Sequence, residues 1–78
     1  MKQLRHEQGI KEFGNTLRKV RQRHNFTQEL LAIKADIEIS QISRIERGVI
    51  NTSISQVITI ANALGVHPKE LFDFEIDE

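Results

Sequence analysis

Two short stretches in the middle of the chain leave room for little besides a pair of abutting helices. Thr27-Gln28-Glu29-Leu30-Leu31-Ala32 opens the first, and Ile42-Ser43-Arg44-Ile45-Glu46-Arg47-Gly48 closes the second. Thr27 is a good N-cap, because its side-chain oxygen can accept from a free N–H of the first turn. Phe26, just ahead of it, can staple onto Leu31. The first helix should end near Ala35, leaving Asp36-Ile37-Glu38 as the turn. Asp36 tolerates a left-handed backbone at a cost of about 1 kcal/mol. The second helix is expected over Ile39 to Arg47, with Gly48 as its stop. Ile42 and Ile45 then face inward, and Ile37 closes the corner. Helical spacing leaves Ile39, Ser40, Ser43, Arg44 and Arg47 on the other side.

The flanking sequence continues the helical pattern, and no strand pattern competes. A helix is predicted from Lys11 to His24, where Phe13, Leu17, Val20 and His24 recur at helical spacing. Asn25 is a plausible left-handed stop. After a loop at Val49 to Thr52, Ser53 caps a fourth helix, and Gln56 completes a capping box. Its expected apolar face is Ile54, Val57, Ile58, Ala61 and Leu64. Gly65 ends it, and Val66 folds back as the hydrophobic contact. Pro68 opens a fifth helix at its first position, which Leu71 and Phe72 anchor to the core. The expected class is all-α, five helices in one domain over residues 10–72. Residues 1–9 form an N-terminal extension that is either an ordered helix, a groove-reaching arm or disordered. Residues 73–78 form an acidic tail containing Phe74 and Ile76.

Composition narrows the function. The 78 residues make one domain, stable by only a few kcal/mol, on the order of 5. Phe is the only aromatic, so Leu, Ile, Val and Ala supply most of the core. There is no cysteine, hence no disulfide scaffold and no thiolate metal site. His6, His24 and His67 lack metal-ligand spacing, so neither metal nor cofactor is expected. Nothing places a nucleophile beside a base, so an enzyme is not expected. No apolar run approaches the ~20 residues of a membrane span. The start of the chain lacks a signal-peptide core. A soluble, cytoplasmic protein is the expectation.

Net charge is zero, but the charges are segregated. Ten of the 11 basic residues precede Gly48 alongside six acids, a balance of +4. From Gly48 onward the balance is −4, with Lys69 against Glu70, Asp73, Glu75, Asp77 and Glu78. Such a chain either presents a positive face to phosphate or simply carries a soluble surface with a charged tail.

The two abutting helices, their turn and the apolar residues around them resemble the phage-repressor-like (XRE-type) helix-turn-helix family, without a gap from about Phe13 to Phe72. The chain departs from the family's pattern at Leu30, Asp36 and Glu38, where an acidic residue, Gly and Ser are more usual. The resemblance implies the five-helix phage-repressor-like DNA-binding fold, with helices 2 and 3 as the helix-turn-helix. It implies a transcriptional regulator that binds double-stranded DNA in a sequence-specific way. Asn51-Thr52-Ser53-Ile54 looks like the restriction–modification controllers, small members of the family alongside prophage repressors and antitoxins.

By this resemblance Ile39, Ser40, Ser43 and Arg44 are the base-contacting positions. Arg44 can donate two parallel hydrogen bonds to guanine O6 and N7, worth about 1–3 kcal/mol of discrimination. Ile39 would meet a thymine methyl. Gln28, at the positive end of helix 2, is implied to clamp a phosphate, with Thr27 assisting through its backbone. Arg47, Asn51 and Thr52 flank a neighbouring phosphate, although Asn51 could equally be a turn residue. Gln41 either reaches the backbone or lines the turn. Arg21 and Glu46 match a family salt bridge that fixes the recognition helix; the alternative is that both are exposed.

One short helix reads too little DNA to be selective, so a homodimer on a pseudo-palindromic operator is expected. Its half-sites would lie about one turn, ~34 Å, apart. Dimer contacts would come from helix 5, the tail, the N-terminal arm or the loop before helix 4. The competing expectation is a protein-interaction module, an antitoxin or adaptor on the same fold, using Leu30, Ile33 and the acidic tail.

Overall fold

Side-chain oxygens and left-handed residues punctuate a purely helical chain in the computed structural model, which describes residues 4–77. Residues 1–3 of the N-terminal extension and residue 78 of the tail lie outside the described residues. Helix α1 spans Glu7–Arg23, α2 Gln28–Ala35, α3 Ile39–Glu46 and α4 Ile54–Leu64. A short 3-10 helix, Pro68–Phe72, follows.

Most boundaries have a local cause. Asn25 and Asp36 adopt positive φ, 62° and 54°. Beyond each of them the chain folds back on the helix it has left. Phe26 N donates to Arg21 O, and Ile37 N to Ala32 O, both at 3.0 Å. These bonds satisfy carbonyls that a helix end otherwise leaves unpaired. Thr27 Oγ1 accepts from Leu30 N at 3.0 Å, so the start of α2 is held by one hydroxyl. Thr27→Ala should therefore cost about 1 kcal/mol, read as a lower urea midpoint at unchanged slope. Glu38 makes no such side-chain bond to α3, which starts without a cap.

The core gathers around Leu17, Leu31, Ile42, Ile45, Ile60 and Leu71, each at most 1 % exposed. α1 packs on α3 and on the 3-10 helix, while α2 joins α3 to α4. Ile37 and Phe26 are half-buried against this cluster.

Four expectations need correction. α1 begins at Glu7 rather than Lys11, because His6 Nδ1 accepts from Gly9 N at 2.9 Å and so caps it. The buried face of α4 is Val57, Ile60, Ala61 and Leu64. Ile54 and Ile58 are 73 % and 46 % exposed, because α2 and the 3-10 helix pack on the side of α4 that carries Ile60. Ser53 caps α4 through Gln56 N, but the Gln56 side chain does not return the bond. The reciprocal box forms instead at His67 and Glu70. There the last element tightens into a 3-10 turn that buries Leu71 and leaves Phe72 half exposed, its ring 5.1 Å from that of Phe13.

The two ends of the chain meet. Gln8 and Asp77 exchange hydrogen bonds of 3.3 and 3.2 Å, and Phe74 packs on the core. The tail thus lies along the start of α1.

Candidate nucleic-acid interface

What holds α3 determines what it can present. Its inner face is Ile42 and Ile45, 0 % and 1 % exposed. Ile39, Ser40, Arg44 and Arg47 are exposed, with Ser43 and Gln41 half-buried. The periodicity is the cause: burying positions 42 and 45 turns 40, 43, 44 and 47 the other way. Arg47 Nε donates to Ser43 Oγ at 3.3 Å, one turn back along the same stripe. The ion pairs among the described residues are Arg5–Glu7 and Arg21–Glu46. The Arg44 guanidinium belongs to neither. An eight-residue helix is about 12 Å long, close to the ~12 Å width of a B-DNA major groove.

The angle of α3 is fixed at its C-terminal end. Arg21 on α1 and Glu46 on α3 form a two-pronged pair, Nε–Oε2 2.6 Å and Nη2–Oε1 2.9 Å. Both are buried, at 8 % and 4 % exposure. The third guanidinium nitrogen, Nη1, donates to the Phe26 carbonyl at 2.8 Å. Gln28 Nε2 donates to Glu46 Oε1 at 3.0 Å. Every buried side-chain polar atom among the described residues has a partner, which a charge pair in a small core requires. The bond to Glu46 raises the Arg21 pKa above its ordinary value, against the opposing effect of burial.

Gln28 consequently sits beside the end of the recognition helix, at the first position of α2. Its side-chain amide nitrogen is engaged with Glu46; its backbone N–H and carbonyl oxygen are not used in that bond. Thr27 precedes it as the cap. Asn51 lies farther along: its Nδ2 donates to the Leu4 carbonyl at 3.1 Å. The structure therefore brings Gln28, Arg21 and Glu46 into one network, and lines up Ser40, Ser43, Arg44 and Arg47. It directs Asn51 toward the N-terminal segment. Thr52 is half-buried in the same loop.

One residue that positions this site escapes the sequence reading. Gly14 of α1 is buried under the C-terminal end of α3. A Cβ there would overlap the Ile45 carbonyl oxygen and lie 2.8 Å from that of Glu46. The available signal was a glycine on the apolar face of a strongly patterned helix, which usually marks close packing.

Comparison with known proteins agrees with this geometry. The helix-turn-helix family profile matches residues 17–71. The control protein C.BamHI of Bacillus amyloliquefaciens is 44 % identical over 63 residues, covering 80 % of this chain and 78 % of that one. The crystal structure of the restriction-modification controller protein C.AhdI from Aeromonas hydrophila superposes with a TM-score of 0.79 at 35 % identity. That match covers 81 % of this chain and 96 % of that one. The wild-type restriction-modification controller C.Esp1396I gives a TM-score of 0.75 at 30 % identity, covering 82 % and 84 %. With a recognition helix held outward by its two isoleucines, this chain belongs to the XRE-type helix-turn-helix family of DNA-binding transcriptional regulators.

Proposed function

We propose that the chain is a sequence-specific regulator that binds double-stranded DNA as a homodimer on a pseudo-palindromic operator, in the manner of a restriction–modification controller. The carrying observation is the outward stripe of Ser40, Ser43, Arg44 and Arg47 on a helix whose opposite face is fully buried. Ile39, Ser40, Ser43 and Arg44 contact bases. Thr27, Gln28, Gln41, Arg47, Asn51 and Thr52 contact or flank phosphates.

Dimer formation has a candidate surface. An open apolar groove of about 630 Å³ runs between the N-terminal segment and the tail, lined by Leu4, Ile10, Ile54, Phe72 and Ile76 among others. Ile54 and Phe72 remain 73 % and 48 % exposed, a concentration of apolar surface that a second copy would cover. Among the described residues no helix is long and apolar enough to cross a membrane, and the reading places the protein with DNA in the cytoplasm.

Selection of bound sites from random duplexes tests the whole reading. It should return two related half-sites about one turn apart. Asymmetric single sites would remove the dimer, and no enrichment would remove the regulator. Arg44→Ala should then relax preference at one base pair per half-site by about 1–3 kcal/mol. Equal loss on every sequence would move Arg44 to the phosphate backbone.

A further inference from the structure

The N-terminal segment is tied to the loop that follows the recognition helix. Arg5 Nη2 donates to the Val49 carbonyl at 3.3 Å, next to the Asn51–Leu4 bond. Lys11 closes the same corner from α1. Gly48 lies so near it that a Cβ on Gly48 would sit 2.8 Å from Lys11 Cγ and 2.9 Å from its Cα. Gly48 also has φ 72°, so this turn needs glycine twice over. Arg47 precedes that glycine on the exposed stripe of α3.

Two exposed cations from different parts of the chain, Arg5 and Lys11, therefore meet the loop that follows Arg47. The carboxylate of Glu7 pairs with Arg5 at 2.8 Å and is also stabilised by Lys11, so it offsets one of the two charges. α1 runs past the C-terminal end of α3, meeting Glu46 through Arg21 and Gly48 through Lys11. Gln28 joins the first contact, and Arg5 the second. Arg21 and Lys11 are ten residues apart, about 15 Å along a helix. That span is comparable to a major groove ~12 Å wide with a phosphate strand on each edge.

We propose that Arg5 and Lys11 form a second phosphate clamp. They grip the DNA backbone across the groove from Gln28, beside Arg47, while α3 reads the bases. The proposal rests on the DNA-binding reading of α3. A polyanion that binds these cations releases counterions. The backbone ties through Val49 and Leu4 hold the segment in place before DNA arrives, so little ordering is needed on binding.

The test is fluorescence-anisotropy titration of a selected duplex between 50 and 200 mM salt. Arg5→Ala and Lys11→Gln should each make the slope of log affinity against log salt shallower by about 1.8, which is about 0.9 for each protomer of the dimer. That is a change of about 12-fold across this range. Lys11→Gln retains the stem that packs on Gly48, so a lost charge is separated from lost packing. Arg5→Lys should keep the wild-type slope, and Glu7→Gln should tighten binding. Unchanged slopes for both charge-removing variants, with Arg44→Ala still altering base preference, would overturn the clamp and leave the α3 reading intact. A wild-type protein with no sequence preference, and no response to Arg44→Ala, would overturn both.

Discussion

Glu46→Ala should lower the unfolding free energy by about 3–5 kcal/mol. For a domain stable by on the order of 5 kcal/mol, that leaves it close to unfolded at room temperature. The magnitude follows from what is left behind. Arg21, 8 % exposed beside Glu46, keeps the Phe26 carbonyl but loses both carboxylate bonds. A guanidinium cannot shed its proton to escape burial. Gln28 loses its partner as well. An exposed pair would behave differently, with a cost of about 0–1 kcal/mol that fades with salt. Thermal melting distinguishes the two, since each kcal/mol moves the midpoint by roughly 4–8 °C in a domain of this size. A loss of under about 1 kcal/mol would mean that water reaches the pair. Arg21→Met with Glu46→Leu should recover most of the stability, because the pair's large value is the penalty for breaking it singly. DNA affinity should not recover in step, since Gln28 would remain without its anchor at the end of α3.

The helix-turn-helix was legible because its signals are local. Thr27, Asp36 and the Ile42–Ile45 spacing each act within a few residues, and each does in the fold what its chemistry dictates. The exposure of Ser40 and Arg44 follows from the same spacing. The failures concern contacts that no short window contains. In Val57-Ile58-Thr59-Ile60 every residue is β-branched, so the pattern offers two apolar faces. Packing of α2 and the 3-10 helix chooses Ile60 over Ile58. His6 is an uncommon cap, and its role depends on an imidazole nitrogen reaching Gly9 N. The amide of Asn51 is drawn to the Leu4 carbonyl, 47 residues away, a partner that turn propensity does not disclose. The basic residues near the N-terminus counted toward a net charge, but their convergence on Gly48 required the fold.

Gly14→Ala is the sharper test of how the recognition helix is carried, because two principles give it opposite signs. Gly14 lies inside α1. There alanine is favoured over glycine by about 1 kcal/mol on helix propensity alone. If the residue were merely tolerated, the variant would be more stable. Its missing Cβ, however, is where α3 comes closest. The new methyl would collide with the Ile45 carbonyl oxygen and stand 2.8 Å from that of Glu46. Both are backbone atoms and cannot rotate aside as a flexible side chain would. The helices must separate, stretching the Arg21–Glu46 pair and loosening Ile45 in the core. Overpacking of this kind costs about 1–3 kcal/mol, and the rigid obstacle places it near the upper end. Urea unfolding should therefore show a net loss of about 2 kcal/mol after the propensity gain. The DNA effect should exceed the stability effect, because a shift of α3 carries Ser40 and Arg44 with it. At a temperature where the variant is still folded, affinity for the selected site should fall more than affinity for a random duplex. A variant more stable than wild type with undiminished selectivity would show that α1 does not set the position of α3.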